Sequence, residues 1–459
     1  MRRRKADLAL RVNAPLHIEH TDSGLTSFAG LELLSRYLRK THFNRSLRRH
    51  LGHLDLPGDF PLISTIRLLL CLLMVGGRRL RHVGYLAGDP LVHRFSQLST
   101  LPTDRTLSRR LKRFSNRSIQ ALRSLNAQLV ASIVLAMRLR TVTIDVDGTV
   151  ISTGMQVERA FRGYNPHHRK VPSYFPITAY LAETGHLFRL QNRSGNINDG
   201  KASIGFLRDV FDQVESTLGS GMRVRVRMDG DYFKEAVIRT LESRGAEYAI
   251  KVPFWPWLNL GALIRARQEW TRIDDEVDGF SASLFLEPWQ REVRLRIYRR
   301  RVFHQTRKGY QLSLFDPHDG MFEFSVVAVS LKKKERRIWW FMCGRGAHEK
   351  AIGELKSGLA LSTVPTDHYG ANGAWQQLVV IAHTLLTNFQ IETGAPRRCR
   401  TWKRTPIPLL RRANTLRFEL LNRAGRLTKP GGRAILRLAD NSTVRNRFAK
   451  VLQALESTA

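Results

Sequence analysis

Two seven-residue stretches, TVTIDVD (residues 141–147) and RVRVRMD (residues 223–229), alternate side-chain character and then stop on an aspartate. Period-two alternation marks a strand whose two faces meet different surroundings, so each stretch reads as a strand that delivers a carboxylate to its end. In the first, Val142, Ile144 and Val146 share one face, and Asp145 and Asp147 the other. In the second, Val224, Val226 and Met228 oppose Arg223, Arg225, Arg227 and Asp229. The alternation alone leaves Asp145 in competition with Asp147. Asp231, which also suits the N-cap of a following helix, competes with Asp229. An exposed Arg227–Asp229 pair is the plainer reading of the second strand.

The surrounding pattern fixes the class. FPITAYLAETGHLFRLQNR reads as two strands about a turn at Thr184-Gly185, ASIGFLRDVFDQVEST and FKEAVIRTLESRG as helices, and AEYAIKV as a strand. Strand, hairpin, helix, strand, helix, strand is an α/β order with part of its sheet parallel, compatible with a ribonuclease-H-like core. Residues 1–139 read as a helical region. Within them Thr103 or Asp104 caps a helix displaying Arg105, Arg109, Arg110, Lys112 and Arg113, either in the manner of a helix-turn-helix second helix or as a basic solvated face. The core is expected over 140–251 and again over 341–395. Between them, 252–340 reads as a β-rich insertion: SASLFL, VRLRIYRR, YQLSLF and FEFSVVAVS alternate like strands, and six of the eight tryptophans fall there. It is expected as a domain of its own, its ends returning to one edge of the core. Residues 396–459 read as a basic helical region, with LLRRANTLRFELLNR as an amphipathic helix.

Charge narrows the partner. The 459 residues carry 75 Lys and Arg against 39 Asp and Glu, a formal net charge of +36. Such an excess favours a polyanion through counterion release. Apolar residues, at 42%, suffice for a packed core, which excludes a merely disordered basic tail. Cys71, Cys343 and Cys399 are too dispersed for a zinc knot or a disulfide framework, and the longest apolar run, Leu68 to Gly77, is about half a bilayer span. A cytoplasmic protein without a membrane partner is the expectation.

A third acid belongs with the strand-end aspartates. RGAHEKAIGELK reads as the start of a helix, and a seven-residue step returns to nearly the same face. Glu349 and Lys356 therefore share a stripe, which Arg345 joins if helical geometry reaches back to it; Glu354 falls outside.

The spaced combination resembles the DDE-type insertion-sequence transposases, in the branch with a β-rich insertion and a Tyr-Arg-Glu-Lys signature. Asp147-Gly148-Thr149 fits the family's Asp-x-Thr element and selects Asp147. Gly154, Gln156, Gly163, Tyr164, Asn165, Tyr174 and Pro176, followed by Arg193 to Asn196, fit its next elements. Arg227, Asp229 and Tyr232 fit the second-aspartate element, and Arg345, Glu349 and Lys356 the signature. Its tyrosine position holds Met342. The resemblance implies that Asp147, Asp229 and Glu349 are catalytic and converge on two Mg2+ ions, for which Mn2+ substitutes. Asp147 would bridge, Asp229 would hold one ion and Glu349 chiefly the other. Arg345 and Lys356 would hold DNA phosphates, as would Arg105, Arg109 and Arg110 on the N-terminal helix, and Trp289 is the candidate for stacking a base. It further implies double-stranded DNA partners, transposon ends and target, and self-association in the active complex. A nuclease that cuts without transposing, or a transposase-derived DNA-binding protein without catalysis, are the alternatives.

Overall fold

The computed structural model describes residues 16–21, 24–54, 56–154, 156–163, 165, 168, 170–197, 199–301, 321–398 and 405–457. A short strand β1 (Leu25–Thr26) precedes α1 (Leu31–Lys40), α2 (Phe43–Leu51), α3 (Leu62–Val75), α4 (Pro90–Ser96), α5 (Asp104–Lys112) and α6 (Asn116–Ala136). Then come β2 (Thr141–Gly148), β3 (Ile151–Ser152), β4 (Ser173–Tyr174), β5 (Ile177–Leu181), β6 (His186–Gln191), α7 (Asp199–Leu218), β7 (Arg223–Met228), α8 (Glu235–Ser243) and β8 (Glu247–Val252). The order continues with α9 (Leu260–Arg265), β9 (Thr271–Arg272), β10 (Val277–Leu286), β11 (Arg291–Arg301) and β12 (Phe322–Val329). It closes with α10 (Glu335–Cys343), α11 (Gly346–Gly358), α12 (Tyr369–Glu392), α13 (Ala413–Leu416), β13 (Gly425–Thr428), β14 (Ile435–Leu438) and α14 (Ser442–Glu456).

The main sheet is mixed and runs β6-β5-β2-β7-β8-β12-β11-β10-β9. β2 lies parallel to β7, and β7 to β8; the remaining pairs are antiparallel. The chain turns between β5 and β6 at Gly185, whose φ of 81° suits a residue without a Cβ. One sheet face carries Val142, Ile144 and Val146 and is covered by Phe206, Leu207 and Val210 of α7 with Val237, Ile238 and Leu241 of α8. The other carries Tyr180, Leu187 and Leu190 and packs against Leu355 of α11 and Leu378 and Val379 of α12. Burial on both faces explains why the apolar residues of β2 are matched by a second, polar row in which Thr143 and Asp145 are equally buried.

α12 is buried from Ala371 to Phe389, as expected of a helix apolar nearly all round. α6 is the one described helix long and apolar enough to cross a membrane. Here its apolar residues are divided between the two cores, and Asn126 donates to the Leu187 and Phe188 carbonyls of β6.

Two expectations are corrected. Three of the four strands read in residues 252–340 are present among the described residues, but β12 pairs with β8, setting Val326 against Val252 and Ala328 against Ile250. They therefore extend the core sheet instead of forming a separate one, because β8, paired with β7 on one side, has a second row of backbone donors and acceptors to satisfy. The helix α10 also begins at Glu335, inside the span read as β-rich. YQLSLF lies outside the described residues. In the basic tail, LLRRANTLRFELLNR is not one amphipathic helix. It makes α13 and a single π turn over Arg417–Leu421. Arg417 is buried, donating to the carbonyls of Leu73, Met74 and Gly358, so it ties the tail to α3 and α11.

Candidate active site

The register of two parallel strands builds the site. Thr141 faces Arg223 and Asp145 faces Arg227 across β2 and β7. Extending that register by two residues sets Asp147 opposite Asp229, on neighbouring strands spaced about 4.8 Å apart. Asp229 is also the cap of the turn Gly230–Tyr232, its Oδ1 accepting the Asp231 amide at 3.2 Å. Asp231 itself is exposed.

Arg345 joins the pair. Its Nη2 lies 3.1 Å from Asp147 Oδ2 and 3.9 Å from Asp229 Oδ2. Arg345 has α-helical φ and ψ at the N-cap of α11, so helical geometry does reach back to it. Arg345, Glu349 and Lys356 thus share one stripe. Glu349 is exposed in the first turn, where the helix N-terminus favours an acid, and its charge is felt at Asp145. Burial lowers the pKa of the Lys356 amine. Among the described residues, no three His, Cys, Asp or Glu side chains lie close enough to hold one metal ion. The expected convergence of three carboxylates is therefore not seen. Two aspartates share a guanidinium, with Glu349 one turn further along the helix. Carboxylates that already share one cation, at strand ends and partly open to solvent, are the hard oxygen donors that Mg2+ prefers.

α11 is seated by His348. Its Nε2 lies 3.0 Å from Thr178 Oγ1, which donates to the Asp147 carbonyl at 3.0 Å. The imidazole stacks on Tyr180 at 5.3 Å. Burial, then Arg345 and Arg227, hold its pKa down to about 3, so it is neutral near pH 7.

The sequence reading missed the support beneath. Arg227 does not pair with Asp229. It donates from Nε and Nη2 to the two Asp145 oxygens at 2.5 and 2.7 Å, inside the sheet, with Asp145 fully buried. Burial raises the Asp145 pKa and Arg227 opposes that rise. The free Nη1 donates to the Phe341 carbonyl at the end of α10. Gly344 leaves room for this, since a Cβ there would stand 2.1 Å from Arg227 Nη1. The signal was in the sequence: Asp145 and Arg227 occupy matched places in the two alternating strands. At the signature tyrosine position, Met342 packs with Trp339 and Phe341 against the small core of Ala249, Val327 and Ile338. The other family-like elements form the adjoining loops, where Gly163 abuts the Gly195 carbonyl and Tyr174 donates to the Glu158 carbonyl. Tyr164 lies outside the described residues.

The remaining candidates divide. On α5, Thr103 is the cap, accepting from the Thr106 amide. Arg105 and Arg109 are exposed and line a basic groove of about 1180 Å³ with Arg78, Arg79 and Arg81. Arg110 is corrected: it is buried, its guanidinium on the carbonyls of Leu56 and Phe60. It stands on the inner face of α5 and cannot reach a phosphate. Trp289 belongs to an aromatic cluster with Phe233, Trp255 and Trp257, near the Asp229 turn. Its most accessible ring is Trp257, which is 46% exposed.

No curated protein matches the chain. Among solved structures it is similar to a piggyBac transposase synaptic complex with hairpin DNA, at 12% identity over 77% of this chain and 73% of that one, with a TM-score of 0.38. It is also similar to the Mos1 mariner paired end complex with Mn, at 13% identity over 45% and 66%, with a TM-score of 0.18. Its sequence matches the family described as Transposase DDE domain group 1 over residues 9–459, and the chain belongs to that family.

Proposed function

We propose that the protein is a DNA transposase that cuts at the terminal inverted repeats of an insertion sequence and joins the cut end to target DNA. The observation that carries this reading is the pair of strand-end carboxylates, Asp147 and Asp229, gathered on one arginine while Asp145 is consumed by Arg227. Strand order supports a ribonuclease-H-like core: β2, β5 and β6 antiparallel, then β7 and β8 parallel to β2 on its other side. Asp147, Asp229 and Glu349 would hold two Mg2+ ions, with Mn2+ as a substitute. Metal held there would activate the attacking oxygen and steady the leaving one.

The chain's own residues do the rest. Glu349 lies one turn beyond Arg345 on the same stripe of α11 and would have to draw closer to the aspartates to share metal with them. Arg345, freed from them, turns to a phosphate oxygen, and Lys356 on the same stripe takes another. His348 is neutral and buried, so it fixes the helix and moves no proton. Arg105 and Arg109 hold the duplex at a distance from the cut. Joining two ends requires at least two copies of the chain in the active complex.

The test is cleavage of a labelled end fragment by Asp147→Asn, Asp229→Asn and Glu349→Gln. All three lose Mg2+-dependent cleavage and keep end binding, while Asp231→Ala retains cleavage. Full cleavage by the Glu349 variant would remove it from the site. A nuclease without transposition would cut the fragment but yield no joined product.

A further inference from the structure

A cleft of about 1390 Å³ lies on the flank of α11 away from the carboxylates. Gly346, Ala347, Lys350, Ala351 and Glu354 form its wall on α11. At about 100° per residue, that stripe lies roughly 150° around the helix from Arg345, Glu349 and Lys356. The facing wall is α10, which presents Arg336, Arg337, Trp340 and Cys343, and the third is the segment from Thr405 to Ala413. α10 turns Trp339 and Met342 onto the sheet, while Ile338 and Phe341 pack there and also reach the cleft floor.

The cleft is strongly cationic, and its acids are already used. Glu183 accepts from the Thr143 amide and Glu354 from the Ala413 amide, each at 2.7 Å. Arg225 is paired with Glu247, Arg227 with Asp145 and Arg411 with Glu419. Among the described residues, Lys333, Arg336, Arg337, Lys350 and Arg412 have no carboxylate partner. Beside Arg336 and Arg337 on the same helix flank, the Trp340 indole is 49% exposed. An aromatic ring this open costs apolar exposure and is not needed for the core, since Trp339 already packs against it.

We propose that this cleft binds a single strand of nucleic acid, separate from the strand bound at the carboxylates. Phosphates lie along Arg336, Arg337, Lys350 and Arg412, and an unpaired base stacks on Trp340. A duplex hides its base faces, so the exposed indole favours the single strand. The inference rests on the proposed function only for the class of ligand. Its consequence is that α11 is held between two nucleic-acid segments, one on each flank.

The exposed thiol of Cys343 lies in the cleft and reports its occupancy. The full chain is alkylated with iodoacetamide in mildly alkaline buffer, because partial desolvation by the cleft walls raises the Cys343 pKa. Modification is read by peptide mass mapping, with and without an oligothymidine. The expected result is several-fold slower alkylation with the oligothymidine, an effect that fades with added salt. The protection persists in Asp147→Asn and is lost in the double variant Arg336→Glu, Arg337→Glu. Trp340→Ala leaves the charge in place and weakens oligothymidine binding about 10-fold, the scale of one lost base stack. Absent protection, protection unchanged by the charge reversal, or stronger protection by a duplex would overturn the proposal. The Asp147→Asn arm separates the two readings: loss of end cleavage with intact Cys343 protection leaves both standing, and undiminished cleavage touches only the proposed function.

Discussion

Asp145 and Arg227, paired in register on neighbouring parallel strands, form a two-pronged ion pair whose carboxylate has no solvent exposure. The pair sits directly beneath Asp147 and also grips the end of α10 through the Phe341 carbonyl. It converts one aspartate of a matched pair into scaffold and leaves the other for chemistry. Removing one partner leaves a buried charge without compensation. Asp145→Asn or Arg227→Met is expected to destabilise the fold by about 3–5 kcal/mol. A double Asp145→Asn, Arg227→Met variant recovers part of that loss. Denaturant midpoints for the three variants, combined as a cycle, measure the coupling.

Gly344 has helical φ and ψ, −63° and −17°, so any demand for glycine there is steric. Gly344→Ala places its methyl on Arg227 Nη1 and is expected to cost roughly 1–3 kcal/mol. Gly346→Ala meets nothing within 4 Å and should be neutral or slightly stabilising. Equal midpoints for the two variants in urea would show that Arg227 relaxes freely.

Arg345 neutralises two carboxylates that would otherwise repel each other. Arg345→Gln is therefore expected to lower stability without metal and to increase the stabilisation given by Mn2+. At a metal concentration about 100-fold above Kd, linkage adds about 2.7 kcal/mol. Thermal midpoints with and without Mn2+ check this. A smaller Mn2+ shift in the variant than in the parent would mean that Arg345 assists the metal.

His348 and His186 are both buried and held to about pKa 3, against 6.5 for the free side chain. Their folded pKa is depressed, so the unfolded chain binds more protons at mildly acidic pH. The stability tied to their neutral forms is complete above about pH 6.5 and is lost as pH falls toward 3. Each histidine adds a slope of at most about 1.4 kcal/mol per pH unit in that window. His348→Gln should flatten the acid limb of a stability-against-pH curve, and an unchanged limb would locate the sensitivity elsewhere.

Arg109 and Arg110 are neighbours with opposite duties. Arg110→Ala strands the carbonyls of Leu56 and Phe60 and is expected to cost about 1.5–3 kcal/mol. Arg109→Ala should stay within about 0.5 kcal/mol of the parent in stability and weaken DNA binding with a shallower salt dependence.

Much of the core could be read from local pattern. The alternation in β2 and β7 gave both strands and both terminal aspartates, and the seven-residue step gave the stripe on α11. Alternation could not separate Asp145 from Asp147, because that choice depends on which residue of β7 lies opposite. It also could not show that β12 would find β8, since an open strand edge accepts any partner of suitable length. Arg110 was misread for a related reason. A helix heptad shows which residues share a face, but the loop at Leu56 to Phe60 decides which face is inside. Arg417 broke the reading of the tail in the same way, by being an arginine with three buried carbonyls to satisfy.

Arg345 lies 198 residues downstream of the aspartate it touches. A ribosome making this chain delivers both aspartates long before the arginine that gathers them. β8 must wait as an open edge until β12 arrives, and contacts of such separation form slowly. A nascent or truncated chain thus holds strand-end acids without the helix that completes their arrangement. Any chain that stops short of Arg345 therefore carries both strand-end acids without the one side chain that gathers them.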